Sequence, residues 1–211
     1  LTEVALLDDT GQAVPTGGGG EIEVDLHPVG PEGLQPFDLT ERGPLLDQQA
    51  ECLIPGLKRS IADRELEVLR GQLGWSIDHS AIPVTRQNEG PGNALLATLR
   101  HEHVTEVFCA IGDKSRSAEN VANDVARQVK RYASSAGALG QYLADQWALP
   151  LALAVWRSGR AARYTCTDVS LHAATNFSVI GQFLPVRIDT RPLPKGQGVQ
   201  VEVTPTGDNA P

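Results

Sequence analysis

The order of strand and helix patterns between residues 45 and 134 most constrains what this chain can fold into. Two helical patterns are set among four strand patterns, and Ser117 is suited to begin the second helix. The sequence predicts, in order, a strand at 48–54, a helix at 59–72, strands at 74–79, 93–101 and 106–111, and a helix from 117 to about 134. This β-α-β-β-β-α order predicts a small sheet covered by two helices on one side.

The segments on either side of this unit predict a separate body. Residues 1–27 have the pattern of two strands around a turn, and the Pro- and Gly-rich residues 28–44 resemble a linker. After residue 135 the sequence predicts a helix at 138–149 that continues or restarts past Pro150, a strand at 161–167, a helix from 171 to before Pro185, and strands at 185–189 and 198–204. We therefore predict an α+β chain divided at 44/45 and 134/135.

Composition excludes several classes of protein. No run of eighteen apolar residues exists, so we expect no membrane span, and we expect no signal peptide at Leu1. The net charge of -8 disfavours non-specific nucleic-acid binding, although residues 111–211 are net basic. Cys52, Cys109 and Cys166 are too far apart in sequence for a zinc motif, and we expect three buried thiols in a reducing compartment. Because the chain starts at Leu1 and lacks methionine, we expect a piece of a longer polypeptide.

His172 is the first candidate for chemistry, because it stands at a predicted strand-to-helix junction. A neutral imidazole is a good nucleophile toward phosphorus, and the positive end of a helix dipole disfavours the imidazolium form. The same helix end stabilises an approaching phosphate. The alternative is a histidine that only packs or caps the helix.

A second candidate lies about thirty residues earlier, on a predicted helix. Gln141 and Asp145 share one face at a spacing of four, and Tyr142 and Gln146 share the adjacent face. Tyr142 could stack on a base, and the carboxylate and carboxamide could bind a ribose, a base edge or a metal-bound water. The alternative is an ordinary solvated helix face.

Taken together, the chain resembles the RNA 3'-terminal phosphate cyclase family. The resemblance rests on seven short stretches in the same order, which cover most of the chain. They are residues 17–20, residues 90–93, residues 112–114 leading to 117–119, residues 129–132, residues 142–146, His172 with 175–176, and residues 183–187.

The resemblance implies a fold and a reaction. The fold would be a main body of repeated β/α units, with residues 1–44 as part of the body and a linker, 45–134 as an inserted thioredoxin-like domain, and 135–211 as the catalytic unit. ATP, with a divalent metal (Mg²⁺ or Mn²⁺), would adenylate His172. The AMP would pass to an RNA 3'-phosphate, which closes to a 2',3'-cyclic phosphate. The segment that contacts ATP would be Tyr142, Leu143, Ala144, Asp145 and Gln146.

The same resemblance implies partners and leaves rivals. We expect RNA 3' ends as the substrate, no membrane partner, a cytoplasmic location, and an upstream half of the polypeptide that carries further ATP, metal and RNA contacts. No metal ligand can be assigned from this sequence. One rival is a non-catalytic ribosome-assembly branch of the family, which lacks the histidine. The other is an enolpyruvyl-transferase-like enzyme, which would use Lys and Arg clusters and form no covalent nucleotide.

Overall fold

The computed structural model describes residues 25, 27, 28, 30, 33–85 and 91–207, and it confirms the predicted α+β class. The elements are β1 (Leu45–Leu53), α1 (Arg59–Leu73), β2 (Ser80–Ala81), β3 (Ala94–His101), β4 (Thr105–Ile111), α2 (Ala118–Ala133), α3 (Gln141–Ser158), β5 (Ala162–Cys166), α4 (Leu171–Phe183), β6 (Val186–Pro192) and β7 (Val199–Pro205). The predicted strands within 1–27 and the glycine run at 17–20 lie outside the described residues. No helix in the described part of the chain is both long and apolar enough to cross a bilayer.

The first sheet has the strand order β2-β1-β3-β4. β1 and β2 are parallel, and the other two pairings are antiparallel. Residues along β4 are alternately exposed and buried, and α1 and α2 cover the buried face of the sheet. The valines at positions 121, 125 and 129 form the buried stripe of α2, as its helical spacing predicts. This packing forms the first of two hydrophobic cores.

The prediction of a strand at 74–79 is wrong. Gly74 adopts φ 69° and ends α1 by donating its N–H to the carbonyl of Arg70. Ser76 then accepts a hydrogen bond from the N–H of Asp78, which starts a short 3-10 turn at Ile77–His79. Pairing with β1 begins only at Ser80, so the strand is two residues long.

The second sheet has the order β5-β7-β6, and α3 and α4 pack against it. Ala144, Ala148, Leu151 and Val155 recur at spacings of three and four and bury one face of α3 in the second core. As predicted, α3 runs on past Pro150, which lies on its exposed side. Pro150 lacks an N–H, so one intrahelical bond is lost there without breaking the helix.

Two segments join the cores, residues 33–44 before β1 and residues 134–140 after α2, and both linkers dock on the free edge of β5. Leu39 forms a parallel bridge with Tyr164, and Leu139 forms one with Cys166. Leu39 exchanges hydrogen bonds of 2.9 and 3.0 Å with the backbone at 163 and 165, and Leu139 exchanges bonds of 3.0 and 2.8 Å with the backbone at 165 and 167. The domain boundaries at 44/45 and 134/135 stay predictions.

The cysteines are free thiols, but they are not all buried as expected. Cys52 and Cys166 lie in the two cores, whereas Cys109 is exposed. Cys109 occupies one of the outward positions of β4, whose side chains alternate between the helix-covered face and the open face. The period of two along the strand therefore decides its exposure.

Candidate active site

His172 lies in the first turn of α4, which begins as the sequence predicts. Ser170 is the N-cap, and its hydroxyl accepts a hydrogen bond of 3.1 Å from the N–H of Ala173. The side chain of His172 is 84% exposed, so a ligand can reach the ring. The imidazole therefore stands in solvent at the positive end of a helix dipole.

The structure brings His172 against Asp145. The imidazole Nδ1 lies 2.6 Å from the Oδ2 atom of Asp145, whose side chain is only 17% exposed. A carboxylate accepts hydrogen bonds, so we assign the ring proton to Nδ1 in the neutral tautomer. This assignment leaves the lone pair on Nε2, on the side of the ring away from Asp145.

Asn176 holds the other oxygen of the same carboxylate. Its side-chain N–H₂ donates to Asp145 Oδ1 at 2.8 Å and to the Asp145 carbonyl at 3.3 Å. Asn176 lies one turn after His172 on α4, so the two side chains clasp the carboxylate from the same helix. Asp145 therefore presents a fixed acceptor to the imidazole.

A cleft of about 300 Å³ lies between β4, the end of α2 and the start of α3, the helix that also carries Asp145. Its walls include Phe108 from β4 and Tyr142, Leu143 and Gln146 from α3. Tyr142 is 66% exposed and offers an aromatic face that a planar group can stack on. The lining combines aromatic and apolar side chains with a few polar groups, as small-molecule sites commonly do.

The five residues 142–146 do not all point to this cleft. Tyr142, Leu143 and Gln146 line it, and Asp145 turns instead to His172. Ala144 is buried in the second core, and its carbonyl accepts a hydrogen bond of 2.8 Å from the hydroxyl of Tyr164. His172 itself lines a separate shallow depression on α4, with Thr175 and Asn176.

The start of α3 depends on a residue from the other core. Gly140 is the N-cap and has no side chain to offer, and its N–H donates to Oε1 of Glu106 on β4. Burial raises the pKa of Glu106 to about 7, against the opposing effects of the Gly140 hydrogen bond and the Arg42 charge. Glu106 also lines the cleft.

Sequence reasoning missed the roles of two of these residues. Asn176 belongs to one of the seven stretches that resemble the cyclase family, and its spacing of four from His172 is a signal that both side chains face one neighbour. Glu106 gave no local signal, because the amide that it caps lies 34 positions away. Such a contact is set by tertiary packing alone.

The described residues do not form a metal site by themselves. Among them, no three or more His, Cys, Asp and Glu side chains lie close enough to hold an ion. Asp145 is the acid nearest to His172, but its two oxygens already accept hydrogen bonds from His172 and Asn176.

The fold and the site define an α+β protein with two sheets, two hydrophobic cores, and an exposed histidine whose ring contacts a carboxylate. Residues 40–134 match the family model of the RNA 3'-terminal phosphate cyclase (RTC) insert domain. The chain belongs to the RNA 3'-terminal phosphate cyclase family.

Two similar proteins are named RNA 3'-terminal phosphate cyclase. One, from Pseudomonas aeruginosa (strain UCBPP-PA14), is 39% identical over 187 residues, which are 89% of this chain and 52% of the relative. The other, from Koribacter versatilis (strain Ellin345), is 41% identical over 172 residues, which are 82% of this chain and 46% of the relative. The chain therefore spans about half the length of these relatives.

Proposed function

We propose that this chain carries the nucleophile of an enzyme that converts an RNA 3'-terminal phosphate to a 2',3'-cyclic phosphate at the expense of ATP. The observation that carries the proposal is the contact of 2.6 Å between His172 Nδ1 and Asp145 Oδ2. In the neutral ring this contact assigns the proton to Nδ1, so the lone pair on Nε2 is the one that can attack. The names of the relatives supply the reaction class.

In the first step, Nε2 of His172 attacks the α-phosphorus of ATP. An N–P bond forms, the bond to the β-phosphate oxygen breaks, and pyrophosphate leaves. Asp145 accepts the hydrogen bond from Nδ1–H and stabilises the positive charge that develops on the ring. The start of α4 favours the negative charge on the phosphate.

In the next two steps the nucleotide leaves the histidine. An oxygen of the RNA 3'-phosphate attacks the phosphorus of the histidine–AMP, and the imidazole departs with its lone pair. The neighbouring 2'-hydroxyl then attacks the activated 3'-phosphorus, loses its proton, and expels AMP. The covalent intermediate divides one difficult displacement into easier ones.

The nucleotide would lie with its base in the cleft and its α-phosphate at His172. Tyr142 is the stacking surface for adenine, and Leu143 and Gln146 complete that wall. The buried side chain of Ala144 makes no contact with ATP and instead seats α3 in the core. The remaining contacts to ATP and to the RNA end would come from the upstream half of the polypeptide.

We propose that Mg²⁺ or Mn²⁺ arrives with ATP as part of the substrate, since Mg²⁺ is commonly held through substrate phosphates with few protein ligands. We also propose a cytoplasmic location, because an RNA-processing enzyme with free thiols at Cys52, Cys109 and Cys166 suits a reducing compartment.

The test uses the polypeptide with its upstream half, ATP labelled at the α-phosphate, and a divalent metal. Wild-type protein should gain one labelled AMP, and His172→Ala and His172→Asn should gain none. A carboxamide can mimic a hydrogen bond of imidazole but cannot attack phosphorus. His103→Ala, at a half-exposed histidine away from the cleft, is the matched control and should label normally.

The outcomes separate the rivals. Labelled protein in the His172 variants would show that another residue carries AMP. Absence of labelling in the wild type would favour the non-catalytic branch or an enolpyruvyl-transferase-like enzyme, neither of which forms a covalent nucleotide.

A further inference from the structure

Helix α3 begins without a cap of its own. Gly140 stands at the N-cap with φ -70° and ψ 167°, and no side chain of the helix accepts a hydrogen bond from the first turn. A helix start leaves unpaired N–H groups, and a missing cap lets the first turn fray. The residue that fills this role is Glu106, which reaches from β4 to the N–H of Gly140.

The fit between Glu106 and Gly140 is close. Glu106 is 4% exposed, although it stands on the edge strand of its sheet. A Cβ atom at position 140 would lie 3.0 Å from Oε2 of Glu106, which is tighter than ordinary van der Waals contact. The glycine therefore leaves room for the carboxylate beside it, and its backbone angles do not themselves call for glycine.

Arg42 fixes the two linkers near this contact. Its guanidinium donates to the carbonyls of Tyr132, Ser135 and Gly137 at 3.1, 2.5 and 2.5 Å. It also stands 3.9 Å above the ring centre of Tyr132. Arg42 thus ties the segment before β1 to the end of α2 and to Gly137, three residues before Gly140.

We propose that Glu106 is a positioning residue, through which the inserted module holds the first turn of α3 and so the nucleotide-stacking Tyr142 in place. The inference rests on the proposed function, and it adds a role for the insert. Tyr142 is only two residues beyond Gly140, so fraying of this turn removes the stacking surface. When only a fraction of molecules has the turn formed, apparent affinity falls by that fraction.

The first experiment measures adenylation of the full polypeptide against ATP concentration. Glu106→Ala should raise the KM for ATP about tenfold, as expected for loss of one helix cap, and lower kcat much less. Glu106→Gln keeps an acceptor oxygen at the same reach and should restore KM to within about threefold of wild type. Glu106→Asp keeps the charge but is one methylene short, and should behave like the alanine variant.

The exposed Glu102 lies on the turn between β3 and β4, and Glu102→Gln is the matched control, which should leave KM unchanged. Rescue by Asp with failure of Gln would overturn the inference, because charge and not the hydrogen bond would then be the acting property. An unchanged KM in Glu106→Ala, with His172-dependent labelling intact, would overturn it while leaving the proposed function standing.

The second experiment needs no activity. Hydrogen exchange should be faster at the amides of Gly140 to Ala144 in Glu106→Ala than in wild type, and slow again in Glu106→Gln. Unchanged exchange at these amides would overturn the inference whether or not the protein forms histidine–AMP. Urea unfolding of each variant at the same temperature shows that the compared proteins are folded.

Discussion

The imidazole of His172 and the carboxylate of Asp145 meet at 2.6 Å from two different helices, 27 positions apart in the chain. Asp145 is held in turn by Asn176, so the pair is oriented before any ligand arrives. In this arrangement the hydrogen bond to Asp145 favours the tautomer of His172 with its proton on Nδ1.

Asp145→Asn and Asp145→Ala should slow adenylation of His172 without removing the acceptor. The asparagine can present an N–H to the ring and favour the wrong tautomer, so we expect a loss of at least about 10- to 100-fold, the range typical for removing the carboxylate that orients a metal-bound histidine. Single-turnover labelling with ATP measures this rate. Asp63→Asn, at a surface ion pair with Arg59 on α1, is the control. Equal rates in Asp145→Ala and wild type would contradict the orienting role.

Asn176→Asp should be more damaging than Asn176→Ala. The change replaces the donor to Asp145 Oδ1 with a second carboxylate, and two like charges at this distance raise the pKa of the pair. We expect the acidic limb of the adenylation pH profile to move to higher pH in Asn176→Asp. Thr175→Ala, at the exposed neighbour, should leave the profile in place. An unchanged pH profile would argue against the role of Asn176 in holding the Asp145 carboxylate.

Glu106 should make the protein less stable as pH rises. Its pKa is about 7 in the fold and ordinarily 4.5, so between these values the folded state binds more protons than the unfolded state. The free energy of unfolding should therefore fall from about pH 4.5 to about pH 7 by up to roughly 3 kcal/mol, and stay low above that.

Glu106→Gln cannot ionise, so the difference in stability between wild type and this variant should carry that pH dependence. Urea unfolding of both proteins at about pH 5, 6, 7 and 8 measures it. A wild type that gains stability relative to the glutamine variant as pH rises would have the opposite sign and would refute the buried, proton-retaining carboxyl.

Gly137→Ala should strongly destabilise the fold. A Cβ atom there would lie 2.2 Å from the carbonyl carbon of Cys166, which is backbone and cannot turn aside. We expect a loss of about 3 kcal/mol in the free energy of unfolding. Gly71→Ala is the matched control, because no atom lies within 4 Å of its Cβ position, and a helix interior should gain up to about 1 kcal/mol. Comparable stabilities of the two variants would contradict this account.

The helices are the part of the fold that the sequence predicts best. The buried valines of α2 repeat at four-residue spacing, and Ser117 and Ser170 accept hydrogen bonds at helix starts as their chemistry favours. The prediction of a strand at 74–79 is wrong because Gly74 ends α1 and Ser76 starts a turn, and the spacing of apolar residues does not reveal either feature.

For the candidate site, the local sequence pattern identifies residues but does not predict which way their side chains point. His172 and Asp145 were both singled out, yet Ala144 in the same segment points into the core. Glu106 could not be found from sequence, because a carboxylate that caps a helix of the other core looks like any acid on a strand. Contacts between two cores depend on how the linkers dock, and no short-range pattern encodes that docking.

Leu39 and Leu139 dock side by side on β5. The chain between them therefore leaves the second sheet and returns to it at nearly the same point. Their partners on β5 are two residues apart, a spacing of about 7 Å along a strand. A short bypass joining these points would leave the three-stranded sheet intact. The shortened body would lack Glu106, so such a miniature would need Gly140→Asp to give α3 a cap of its own.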